Sequence, residues 1–382
     1  MAINIRGLFK LNILQTKNMF FKSNFVKVGI RCLYTDQDLG ITTYENSRFV
    51  FRNQFMTIEN TFRERMKEIC EKDDGIIFTE DLKAMIHLAQ PNEQDMSLLN
   101  DMLKKYSQKH EVSKIGSYVF GPVVMRMYYH LNQPQYALQA FENEILNNSF
   151  NYRSSFRILM CLLYKNNMFE DMKEIYNKVL STKGIEFIGT NSVLIFAACL
   201  KENTPEALEY ALDQWKKQFD TLKPSRRSYA LISYLAIKNN ASELALDILS
   251  TLQREKIMSV RSLKILAYMN LQRYLQIIPI LKQAIENNVQ QKYLIFADVI
   301  YELEEKLKTQ NIEESSQLLE LIKEAKRLEL IQTTITLEEF LLKPMVIKKR
   351  FRLNSEKRLK NQQQHFNRER PFSRKNELQN YL

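Results

Sequence analysis

From Ser117 to about Asn288 one pattern returns at nearly constant spacing. Four short apolar cores recur: Ala137-Leu138 with Phe141, Met172 with Ile175-Tyr176, Ala207-Leu208 with Ala211, and Ala245-Leu246 with Leu249. Their first residues lie 35, 35 and 38 positions apart. Upstream of three of them runs a second apolar stretch of helical period. It comprises Phe156, Leu159-Met160 and Leu163; then Val193-Leu194, Phe196-Ala197 and Leu200; then Tyr229, Leu231-Ile232 and Leu235. Phe156 precedes Met172, and Tyr229 precedes Ala245, by the same 16 residues. Self-similarity at a period of this size is the mark of a stacked array. Each unit is two amphipathic helices that cannot bury their apolar faces alone and must pack on the next pair.

Punctuation agrees with this reading. Pro134 and Pro205 stand shortly ahead of their core pairs, in a first turn where a missing amide hydrogen costs nothing. Short polar turns, Lys165-Asn166-Asn167 and Lys238-Asn239-Asn240, separate the two helices of a unit. Small Ala residues at the expected crossings suit helices packed at short interaxial distance. The predicted fold class is all-α, a solenoid of stacked helical hairpins, with no sheet of three or more strands. Eight Gly and eight Pro in 382 residues leave few breakers to interrupt such helices.

Charge divides the chain. The net charge is +11, yet residues 1–35 carry six basic residues and no acid, and 343–375 carry twelve basic residues against Glu356 and Glu369. With Glu377 also subtracted, residues 36–342 stand at about −4. The first 35 residues, basic, acid-free and rich in Ile, Leu and Phe, have the make-up of a mitochondrial transit peptide. Cleavage is expected near Arg31-Cys32-Leu33-Tyr34. Residues 36–76 read as a flanking helix, with Phe55, Ile58, Phe62, Met66 and Ile69 on one stripe. Residues 77–335 read as the repeat array, opening on a degenerate pair capped by Thr79. Pro279 is expected to kink the fifth pair or delay its second helix. Residues 336–382 read as a basic tail without folded structure, whose cations and interleaved Phe351, Phe366 and Phe372 suit a nucleic-acid backbone and its bases.

Marks of catalysis are missing. No glycines fall in a phosphate-binding arrangement, and there is no HExxH, no CxxC and no nucleophile elbow. His87, His110, His130 and His365 are not at metal-ligand spacing, and His87 is expected to be a satisfied core histidine. Cys32, Cys70, Cys161 and Cys199 are scattered, as reduced thiols rather than a disulfide framework would be. No run approaches the roughly 18 apolar residues of a membrane span. The expectation is a non-enzymatic chain with no metal and no cofactor.

Ser155 to Met160, then Tyr164-Lys165-Asn166-Asn167, Met172 to Tyr176 and Lys183-Gly184-Ile185 resemble a pentatricopeptide repeat. The order Gly121-Pro122, Arg126-Met127-Tyr128, Ala137-Leu138 and Ser154-Ser155-Phe156 is similar to members of that family from animal mitochondria. The resemblance covers about residues 75–290. The closing Gly-Ile is clear only at Gly184-Ile185, and no full tetratricopeptide set of Trp, Gly, Tyr and Pro is present.

What the resemblance implies is a superhelix whose first helices line an inner surface and hold single-stranded RNA. It implies a place in the mitochondrial matrix, RNA-processing proteins as companions, and a role in the maturation or stability of mitochondrial transcripts and hence in respiratory-chain function. Arg126, Arg157, Arg226, Arg227, Arg261 and Lys264 fall on or beside first helices as candidate phosphate contacts. Ser192 is the one match to a base-reading position. Lys348, Lys349, Arg350 and Arg352 open the tail as further RNA contacts. The competing reading is a scaffold that grips a protein partner, which the mildly acidic body favours.

Overall fold

A computed structural model describes residues 32–110, 118–219, 221, 224–252, 257–286, 294–309 and 313–345. Among them the fold is all-α, a helical-repeat solenoid. Three helices lead in: α1 (Asp36–Leu39), α2 (Ile41–Phe55) and α3 (Glu59–Glu71). Hairpins follow as α4 (Thr79–Leu88) with α5 (Glu93–His110), and α6 (Gly121–Leu131) with α7 (Pro134–Glu142). After the short α8 (Asn147–Phe150) come α9 (Arg153–Lys165) with α10 (Phe169–Ile188), and α11 (Ser192–Glu202) with α12 (Pro205–Phe219). Next stand α13 (Arg226–Lys238) with α14 (Ser242–Ser250), and α15 (Met258–Asn270) with α16 (Ile277–Glu286). The last pair is α17 (Ala297–Thr309) with α18 (Ser315–Arg327), and α19 (Leu337–Leu342) ends the described residues. A parallel ladder of two residues, β1 (Ile295–Phe296) on β2 (Ile331–Gln332), ties the start of α17 to the segment before α19.

The hairpin turns share one backbone device. Asn132, Asn167, Asn203, Asn240 and Gln272 hold φ between 51° and 59°, one at each turn from α6/α7 to α15/α16. Asn is the side-chain-bearing residue that best tolerates this left-handed conformation. In four of the turns the next amide reaches back five residues: Gln133 to the Tyr128 carbonyl, Met168 to Leu163, Ala241 to Ala236 and Arg273 to Tyr268, at 2.8–3.1 Å. These are the closing bonds of a Schellman motif, which satisfies carbonyls at a helix end. Neighbouring turns also touch, since Asn132 and Asn166 exchange two side-chain hydrogen bonds of 3.1 Å.

First and second helices are buried differently. Every residue from Ser192 to Leu200 in α11 is buried, whereas α14 buries only Ser242, Ala245, Ile248 and Leu249. A helix apolar on all sides needs neighbours on all sides. The first helices have them: second helices on one flank, adjacent first helices, and a further layer formed by the segments that flank the array. Within the helical stretch Phe169–Glu202, which joins α10 to α11, one window is apolar enough by composition to cross a membrane, but 61% of that window is buried in the stack. Ala137, Ala207 and Ala245 are fully buried, as small residues facing neighbouring helices should be.

Some expectations change. The stripe from Phe55 to Ile69 spans two helices, because the chain breaks at Met56–Ile58 and leaves Met56 and Ile58 exposed. The cap of α4 is Phe78 and not Thr79, whose hydroxyl instead meets Tyr106 Oη at 3.1 Å. Pro279 stands third in α16, so it marks a late start behind a 3-10 turn. Gly184 breaks the end of α10 at φ 74°, where a side chain would be strained. The tail expected from residue 336 opens instead with an ordered helix. Thr336 and Glu339 form a reciprocal capping box, and Leu337 and Leu341 are buried. Residues 1–31 and 346–382, which hold most of the expected transit segment and most of the basic tail, lie outside the described residues.

Candidate nucleic-acid interface

The predicted cations from Arg126 to Lys264 stand on or at the start of first helices, each in a definite environment. Arg126 on α6 donates from Nε to the Leu39 carbonyl at 2.8 Å, closing the end of α1. Its charge is partly desolvated, which lowers its pKa. Arg157 on α9 donates from Nε to Asn191 Oδ1 at 2.7 Å, and its guanidinium lies 4.8 Å from the centre of the Tyr34 ring. Ser192 is buried at the start of α11, its hydroxyl donating to the Gly189 carbonyl at 3.1 Å.

Arg227 on α13 donates from Nε to the Leu341 carbonyl at 2.8 Å and from Nη2 to the Phe340 carbonyl at 2.6 Å. Nη2 also meets the carbonyl of Lys343. Burial lowers its pKa to about 10, so it stays cationic at neutral pH. Arg261 on α15 is 3% exposed, its Nε and Nη1 have no hydrogen-bond partner among the described residues, and burial lowers its pKa. Lys264 is half-buried on the same helix, while Arg226 is exposed at the first residue of α13. Lys348, Lys349, Arg350 and Arg352 lie outside the described residues.

Arg126, Arg157 and Arg227 thus meet one layer built from the chain's own flanking segments. At one end α2 packs on α4 and α6, with Tyr44 donating to the Ile86 carbonyl and Arg48 to the His87 carbonyl, each at 2.8 Å. His87 stacks against the rings of Tyr44 and Phe51, with its Nδ1 2.7 Å from the Lys83 carbonyl. It is the satisfied core histidine expected. Farther along, Cys32, Leu33 and Tyr34 are buried, α1 packs on α9, and Tyr34 Oη reaches the Thr190 carbonyl at 3.5 Å. Cys32 lies beside Cys161, whose thiol burial holds well above its ordinary pKa.

At the other end α19 packs on α13 and α15. Its first amide, Leu337 N, donates to Asp298 Oδ2 at 2.8 Å. Glu338 pairs with Lys238 at 2.6 Å and accepts from Tyr234 Oη at 3.4 Å. The Phe340 ring lies 5.1 Å from that of Phe296. The two segments meet where Met345 N donates to the Leu33 carbonyl at 2.7 Å.

None of these partners was visible in the sequence pattern, because a carbonyl acceptor carries no residue signature. One signal was present: Thr336 followed three places later by Glu339 announces a helix start.

Another surface is open. First-helix N-termini and second-helix C-termini share one edge of the stack, where Phe78, Tyr118, Tyr152 and Phe219 are exposed aromatics. Arg153 and Arg226, each the first residue of its helix, are exposed as well. By contrast, a cleft of about 640 Å³ between α3 and α5 is lined by Glu64, Glu71, Glu93, Asp95 and Asp101 against Arg63 and Lys67, a poor match for a polyanion. Among the described residues no group of three or more His, Cys, Asp or Glu is placed to hold a metal ion.

The chain is similar to proteins named "Pentatricopeptide repeat-containing protein 2, mitochondrial". The mouse protein is 25% identical over 285 residues, covering 73% of each chain. The human protein is 24% identical over 285 residues, 73% of this chain and 72% of its own. The zebrafish protein is 28% identical over 176 residues, 46% of this chain and 45% of its own. No protein-family model matches the chain, and no solved structure matches it.

Proposed function

We propose that this chain is a mitochondrial RNA-binding factor of the matrix, without catalysis of its own, that supports the maturation, processing or stability of mitochondrial transcripts and thereby respiratory-chain function. Single-stranded RNA is the ligand, and RNA-processing proteins are its companions. The observation that carries this reading is the repeat itself. Hairpins with an Asn-centred left-handed turn recur through α6–α14, in a chain similar to mitochondrial proteins named for the pentatricopeptide repeat.

Two features of this chain support RNA as the ligand. The exposed aromatics and arginines of the first-helix N-terminal edge suit base stacking and phosphate contact. The cations from Lys348 onward suit counterion release. Competing with it is the protein scaffold, which the net charge of about −4 over residues 36–342 favours.

Salt separates the two. Measured with a single-stranded oligonucleotide, affinity is expected to fall steeply between about 50 and 200 mM salt, and barely to move if an apolar protein interface is the true activity. Removing residues 346–382 is expected to weaken RNA binding and flatten its log–log salt slope by about 0.7 for each phosphate no longer neutralised. The cut must follow Met345, because Lys343 and Met345 belong to the packed layer. Equal affinity and slope before and after truncation would remove the tail from the mechanism.

A further inference from the structure

We propose that α13, α15 and Asp298 at the start of α17 form a peptide-recognition groove for a short, acid-capped amphipathic helix. In this chain the groove is filled by residues 336–345, and it accepts a helix of the same chemistry from a partner protein. The chemistry of the contacts carries the proposal. At one end Asp298 accepts the first amide of the bound helix, and at the other Arg227 takes its last carbonyls. These two groups read the unsatisfied ends of a helix, which every helix presents whatever its sequence. Lys238 and Tyr234 read one acidic side chain at the second position of the helix. Between the ends, Leu337 and Leu341 are the buried anchors, four residues apart on one face, with Phe340 against Phe296. This is helix-in-groove recognition in its smallest form.

The occupant is built to be exchangeable. A helix of six residues is too short to persist alone. It is held by two leucines, the Phe340 ring, the Glu338 pair and polar pins at its ends, a small set of contacts beside those of the stack, so it can open while the stack beneath stays closed. RNA suits this groove less well. Asp298 would face a phosphate with like charge, and the donors of Arg227 are spaced for successive peptide carbonyls. The proposal does not rest on the RNA reading above, which assigns RNA to the open edge and the basic tail.

The test uses the full chain and a fluorescent synthetic peptide spanning residues 333–345. The intact chain is expected to bind little peptide, because its own segment fills the groove. Leu337→Asp with Leu341→Asp disables that segment, and the peptide should then bind saturably in trans. Adding Arg227→Ala should weaken the trans complex about tenfold. A double variant that keeps its helical circular dichroism yet binds no peptide would overturn the groove. So would a peptide bound equally with and without Arg227, or one displaced by a single-stranded oligonucleotide. Should the double variant not fold, hydrogen exchange on the intact chain decides. Amides of Phe340–Leu342 exchanging at least tenfold faster than those in the middle of α13 and α15 support an exchangeable segment. Equal protection would make it a fixed part of the core.

Discussion

The guanidinium of Arg227 and the carbonyl of Leu341 stand 2.8 Å apart although 114 residues separate them in the chain. Through that contact a first helix of the stack closes the end of α19. Arg227→Ala should lower stability by about 1.5–3 kcal/mol, the range for hydrogen bonds to a charged group. Arg227→Lys should recover only part of that stability, since an ammonium cannot reproduce a planar fork serving several carbonyls. Denaturant midpoints of the three proteins check both expectations.

Ala245 lies fully buried on α14, on the face packed against α13 and α15. Ala245→Phe should overpack that contact and cost about 1–3 kcal/mol. A melting temperature unchanged from the parent would place the residue outside the core.

Gly40 joins α1 to α2 with φ at 76°, and a Cβ there would sit 2.8 Å from Arg126 Nε. Both the left-handed backbone and the guanidinium on the Leu39 carbonyl oppose a side chain. Gly40→Ala should therefore destabilise by about 1–3 kcal/mol. Thermal unfolding measures it, and a neutral substitution would mean that Arg126 swings away at no cost.

His87 should make stability fall on mild acidification. Burial lowers its pKa below the ordinary 6.5, ahead of the opposing hydrogen bond to the Lys83 carbonyl. Below about pH 6.5 the unfolded imidazole takes up a proton while the folded one does not, so the unfolded state gains. Stability is fully retained above that pH and declines below it, down to the folded pKa. His87→Phe, an aromatic ring kept against Tyr44 and Phe51, should flatten this decline in a pH series of denaturant midpoints.

The stack was legible in the sequence because its determinants are local. Pro134 and Pro205 are the first residues of α7 and α12, and the core pairs that follow them are buried as their period required. The covering layer was not legible. It depends on Arg126, Arg157 and Arg227 finding carbonyls, an amide and a ring far away in the chain, and an arginine on a first helix looks the same whether it faces solvent or a carbonyl. Arg226 and Arg227 show this most sharply, as neighbours of identical type of which one is exposed and the other holds three carbonyls. The lead-in misled for the opposite reason. Its three-to-four spacing continued through a break at Met56–Ile58 that no Gly or Pro announces.

An open row of hairpins can fray from either end, since each unit answers only to its neighbours. The hydrogen bond from Met345 to Leu33 changes that boundary condition. It buckles the two flanking segments together over the middle of the row, so the hairpins between them are belted. Loosening the hairpins at one end then disturbs packing around Leu33, which in turn reaches the strap at the other. While the strap is closed, the belted hairpins should melt as one cooperative block rather than unzip unit by unit. Cutting the belt at either flank should convert one sharp transition into several shallow ones.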